Sequence, residues 1–115
     1  MAVEIIREEI GKEQLHTIAS EYYEDLIKGV ADTKRGIIAL GGEMHVDAEE
    51  VLLENGSDQS DLWGFNILLD ADKEDCLVYE SFINIRPRDG NAALEVQSPD
   101  IRNQMKEIIF KWVKL

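Results

Sequence analysis

In the stretch GGEMHVD, residues 41–47, an acid, an imidazole and a second acid stand at alternate positions: Glu43, His45 and Asp47. The apolar run GIIAL precedes them, so a strand is predicted from Gly36 to Val46. Alternate side chains on a strand point to one face, and with about 3.3 Å rise per residue they start roughly 7 Å apart. Glu43 and His45 are then close enough to share an ion or a proton. All three meet only if the strand bends, and Gly41-Gly42 is where a bulge forms most easily. Asp47 also heads Asp47-Ala48-Glu49-Glu50, the form of a capping box, which gives it a structural task at a helix start. That leaves a pair with three readings. Glu43 and His45 are a metal site, or His45 is a general base oriented by Glu43, or the two are a structural ion pair.

The second chemical oddity is Asn84-Ile85-Arg86-Pro87-Arg88-Asp89-Gly90-Asn91. Two arginines bracket a proline directly after a predicted strand, Pro87 removes a ladder donor, and Asp89-Gly90 marks a turn. Arginine suits a bidentate grip on carboxylate or phosphate, which makes Arg86 and Arg88 candidates for holding a small anion. The alternative is that Arg86 pairs with Glu43 or Asp47 across the sheet while Arg88 stays solvated. Strand parity allows Asn66, Asn84, Arg86, Glu43 and His45 to converge on the sheet face away from the long helices, with Asn91 nearby. Such a cluster makes either a small polar pocket or an internally satisfied network.

Other signatures are missing. The sequence has no Cys-x-x-Cys, no His-Glu-x-x-His and no glycine-rich phosphate loop, and no cofactor is evident. Asp70-Ala71-Asp72 starts like a calcium loop, but Asp75 takes the place of its glycine and Ser81 that of its bidentate glutamate, so a hairpin turn is expected. Ser57, His45 and Asp61 supply the residue types of a hydrolase triad without a nucleophile elbow.

The elements that position these groups follow from periodicity. Val3, Ile5 and Ile6 make a first strand. Leu15, Ile18, Ala19, Tyr22 and Leu26 form one face of an amphipathic helix placed at roughly Lys12 to Asp25. Ile27 to Ala31 pairs with the Gly36 strand through a turn at residues 32–36. A short helix starts at Asp47 and stops at Asn55-Gly56. Leu62 to Leu69 and Cys76 to Arg86 form a second hairpin about the polar turn 70–75. Ser98 and Pro99 open a last helix carrying Ile101, Met105, Ile108, Ile109, Trp112 and Val113 on its core side. The order β-α-β-β-α-β-β-α predicts an α+β domain over residues 1–115, two-layered, with a mainly antiparallel sheet of four or five strands.

Charge bounds the partners. The 115-residue chain has 24 acids against 12 bases, and no Lys or Arg lies between Arg35 and Lys73. A net charge of -12 repels phosphate backbones and anionic membranes, and it attracts basic protein surfaces. No apolar run approaches the roughly 20 residues of a membrane span. The lone Cys76 excludes an intrachain disulfide, and with no signal-peptide pattern at the start a cytoplasmic location is expected.

GGEMHVD at 41–47, LLENGSDQSDLWGFN at 52–66 and INIRPRDGN at 83–91 together resemble a family of small uncharacterised prokaryotic proteins, a domain of unknown function. The resemblance implies an α+β fold and a prokaryotic source, and no activity. Two functions remain. One is an acidic binding or interaction module, with a basic protein partner or a homodimer formed through a sheet edge or the surface around Trp63. The other is a small-molecule enzyme, possibly a hydrolase, using His45 and Glu43 as acid–base pair and Arg86 and Arg88 as anion grip.

Overall fold

Three central strands carry the molecule: Leu26–Asp32 (β2), Ile37–Gly41 (β3) and Leu62–Leu68 (β4). With the edge strands Val3–Ile6 (β1) and Leu77–Val78 (β5) they form one antiparallel sheet in the order β1-β3-β2-β4-β5. The computed structural model describes residues 3–115. Three α-helices complete it, Lys12–Ala19 (α1), His45–Glu54 (α2) and Pro99–Trp112 (α3). The α+β class and the antiparallel hairpins therefore agree with the sequence.

Alternation along the central strands sorts side chains into two clusters. Ile27, Ala31, Ile38, Leu40, Trp63, Phe65 and Ile67 pack against Leu15 and Ala19 of α1 and Met105 and Ile109 of α3. The intervening Val30, Ala39 and Leu62 pack against Ala48 and Leu52 of α2. Helix α2 thus covers part of the opposite face, a layer added to the sheet and its helices α1 and α3. Trp63 is 4% exposed and belongs to the first cluster, so it offers no surface for a dimer.

Gly29 allows the close packing of the first face, since a Cβ there would lie 2.5 Å from the Phe65 ring. Trp112 ties α3 to the first hairpin by donating its indole N–H to the Gly36 carbonyl at 2.9 Å. Three elements are shorter than their periodicity suggests, among them β3, which stops at Gly41. Helix α1 stops at Ala19, where the N–H groups of Tyr22, Tyr23 and Glu24 all turn back to the Ala19 carbonyl, and Glu24 takes a φ of 63°. Strand β5 keeps only two residues of the predicted Cys76 to Arg86, and 3₁₀ turns follow at Phe82–Asn84 and Pro87–Asp89.

Candidate functional site

The GGEMHVD stretch leaves the sheet where alternation would have continued it. Gly41 and Gly42 adopt φ of 109° and 89°, a conformation that glycine reaches without strain and other residues rarely adopt. The chain turns away there, and α2 begins at His45. Asp47 does not precede the helix as its N-cap. It sits in the first turn, and its Oδ2 accepts from the backbone N–H groups of Glu43 at 3.1 Å and Met44 at 3.0 Å. A strand arrangement of Glu43, His45 and Asp47 is therefore overturned. Glu43 is exposed, its carbonyl accepts the Tyr23 hydroxyl at 2.6 Å, and it makes no hydrogen bond or ion pair with His45. Among the described residues no three His, Cys, Asp or Glu side chains are grouped to hold a metal ion.

His45 turns inward instead. Its Nε2–H donates to the Phe65 carbonyl of β4 at 2.8 Å, a bond that selects the neutral tautomer with Nδ1 as acceptor. Burial pulls the imidazole below the ordinary histidine value and Lys28 pushes the same way, while the bond to Phe65 and a contact with Asn66 oppose them. The positive end of α2 also disfavours the charged ring. The balance favours the uncharged ring.

Beside His45, the part of the sheet that α2 leaves uncovered forms a groove of about 390 Å³. Lys28, Asn66 and Val78 lie in register across β2, β4 and β5, and Leu26 and Leu68 line the same recess. Met44 and Val46 contribute from the start of α2, and Glu80, Phe82, Ile83 and Leu94 from the segment after β5. Asn66 fastens that segment by donating from Nδ2 to the Glu80 carbonyl at 3.1 Å. The lining is mainly apolar with a few polar groups, the usual constitution of a ligand or partner site.

A family model described as a protein of unknown function (DUF5674) matches residues 4–112. The chain belongs to that family. The matched span takes in every residue that lines the groove, from Leu26 to Leu94. No curated protein and no solved structure matches the chain.

The remaining candidates of this DUF5674 chain hold its backbone together. Asn84 is fully buried, and its side-chain amide accepts from Gly64 N–H at 2.8 Å while donating to the carbonyls of Gly64 and Leu94 at 3.1 Å each. Asn91 donates to the carbonyls of Asn84, Ala93 and Glu95 and accepts from Gln97 N–H. Neither amide has spare capacity for a ligand. Arg86 pairs with neither Glu43 nor Asp47. It stacks 3.9 Å over the Trp63 ring and donates to the carbonyls of Gln59 and Leu62, because it lies at the start of a 3₁₀ turn and not on a strand facing Glu43. Its Nε is 3.8 Å from Asp89; burial lowers the pKa of the guanidinium, and Asp89 and then Glu49 oppose that in part. Arg88 is exposed. Ser57 donates to the buried Asp32 at 2.6 Å and accepts from Arg35, so the hydrolase set of Ser57, His45 and Asp61 does not assemble.

Of the predicted polar cluster only His45 and Asn66 line the groove together, while Asn91 joins Asn84 and Arg86 outside its lining. Sequence reasoning missed Lys28, Met44, Val46, Phe82 and Leu94. The four apolar ones stand next to turns, a pattern that reads as core until the burial of each is known, and Lys28 is a lone cation inside a strand.

Proposed function

We propose that this chain is a binding module whose working surface is the groove over β2, β4 and β5. The observation that carries the reading is a concentration of exposed apolar side chains. Large hydrophobic residues are exposed at few places among the described residues, and Met44, Val46, Phe82 and Leu94 gather on this one rim, with Phe82 at 76%. A contiguous apolar patch on a surface otherwise rich in charge marks a site that something covers. Asn66, Lys28 and His45 supply hydrogen bonds to orient the occupant.

The net charge of -12 supports a partner that is neither nucleic acid nor an anionic membrane, and no helix of the described residues is long and apolar enough to cross one. The buried, unpaired Cys76 supports work in the cytoplasm.

Mapping amide shifts while indole is titrated into the protein tests the groove. Shifts are expected at Val46, Asn66, Val78 and Ile83, and Val46→Asp is expected to weaken them. Shifts confined to other faces would refute it.

A further inference from the structure

We infer that the groove is covered by a second copy of this chain, in a two-fold dimer that seats Phe82 of each subunit on the other. The inference rests on the groove being a binding surface, and it names the occupant. A two-fold interface must be self-complementary, with every feature on one side matched by its counterpart elsewhere on the same surface. The register supplies this. Lys28 on β2, Asn66 on β4 and Val78 on β5 form one row across the sheet, with Asn66 in the middle. Glu80 follows Val78 two residues later on the far side of the groove from Lys28.

A two-fold axis running along β4 in the plane of the interface sets β2 of one subunit against β5 of the other. Lys28 then faces Val78 of the partner subunit, and the partner's Glu80 lies two residues, about 7 Å, further along, within reach of the long lysine side chain, so opposite charges approach twice. The same operation carries the rim formed by Phe82 and Leu94 onto the rim formed by Met44 and Val46, so apolar meets apolar. Between the rims lies the recess of about 390 Å³, which has room for the projecting Phe82 ring.

Charge over the whole molecule favours the same face. Two chains each of net charge -12 repel wherever acids line the contact. The charged side chains lining the groove are one lysine and one glutamate. The groove itself is therefore close to neutral and adds little to that repulsion. A standard interface covers about 800 Å² per partner. That is roughly an eighth of the 6385 Å² surface of one chain.

Sedimentation equilibrium of the full chain at several concentrations, in about 0.15 M salt, tests the inference. A dimer is expected, of twice the 13.1 kDa chain mass. Phe82→Ser removes a side chain that contributes little to the fold, since it is 76% exposed, and it is expected to raise the dimer Kd at least about thirtyfold, the effect of losing one hot-spot anchor. Lys28→Glu and Glu80→Lys are each expected to weaken the dimer, and the double charge swap to recover much of the loss. A monomer at all concentrations up to about 0.2 mM overturns the inference, as does a dimer indifferent to Phe82→Ser or a double swap no tighter than its singles. Indole shifts at the groove of a monomeric protein would leave the binding surface standing and remove only the second copy.

Discussion

Glu49 is a buried carboxylate that its surroundings satisfy only in part, unlike Asp32, which accepts from Lys34 N–H, Arg35 N–H and the Ser57 hydroxyl. Glu49 is 7% exposed on the inner side of α2, and its Oε2 is buried without a hydrogen-bond partner, as is Nε of Arg86 nearby. Burial pushes its pKa above the usual glutamate value, and a bond from Gln59 and the charge of Arg86 recover only part of that. The sign follows directly. A carboxyl with a raised folded pKa binds more protons folded than unfolded, so its favourable contribution is present below the unfolded value and is lost as pH rises through the folded one. Glu49→Gln is therefore expected to stabilise the protein near pH 7, with the gain vanishing below about pH 4, as read by urea unfolding across that range. A stability gap independent of pH would show that Glu49 acts through packing alone. His45 has the opposite sign of shift from the same cause. Its depressed pKa makes the unfolded state the better proton acceptor, so stability is expected to fall as pH drops below about 6.5, the unfolded histidine value, and His45→Gln should flatten that slope. Neither behaviour was legible in the sequence. Glu49 looked like one acid among many in an acidic segment, and His45 looked like half of a pair, because exposure is set by how α2 leaves the sheet.

At the scale of elements, the groove exists because the segment after β5 stops being a strand while still pressing on the sheet. Residues 77–86 alternate well enough to read as a strand, and periodicity alone carries no sign of the break. The structure supplies the cause. The Asn84 amide takes the ladder positions of Gly64, accepting its N–H and donating to its carbonyl, so a side chain replaces backbone pairing and the chain is free to coil. Ser81 then crosses over Gly64 so closely that a Cβ there would lie 2.5 Å from the Ser81 Cβ. Gly64→Ala is expected to cost about 1–3 kcal/mol by overpacking and to shift the amides of Ser81 to Ile83. Asn84→Ala strands two buried backbone groups of Gly64, at about 1–3 kcal/mol each. Urea unfolding midpoints check both, and losses under about 0.5 kcal/mol would mean that the segment is not locked. The long regular elements were legible for the complementary reason. The stripe on α3, its Ser98 and Pro99 start, and the two hairpins are local patterns. The termination of β3 at two left-handed glycines was marked locally, though only as a bulge, while that of β5 at an asparagine depends on contacts with Gly64, far away in sequence.

The whole molecule carries its acids almost unpaired, and that sets its response to salt. Ion pairs among the described residues are few: Arg86 with Asp89, Arg102 with Glu95 and Lys114 with Glu9. Such surface pairs contribute about 0–1 kcal/mol each, so screening them removes little. Mutual repulsion among the acids outweighs them, since a net charge of -12 is confined to a body of 38 × 30 × 23 Å. At about 0.01 M salt the screening length is about 30 Å, long enough for acids on opposite faces to feel one another, and at about 0.15 M it falls to about 8 Å. Most of the repulsion is then gone while contacts in the core are untouched. Raising sodium chloride from about 0.01 to 0.15 M is therefore expected to raise the melting temperature, measured by circular dichroism at a dilution where the chain is monomeric. The gain should level off once the screening length is short compared with the molecule. Repulsion between two such chains follows the same law, so the dimer Kd is expected to fall over that range, although Lys28 and Glu80 lose some of their attraction. A melting temperature that drops as salt is added would mean that favourable charge pairs outweigh the net charge, and that acids crowded into residues 43–72 are held by partners and not merely exposed to water.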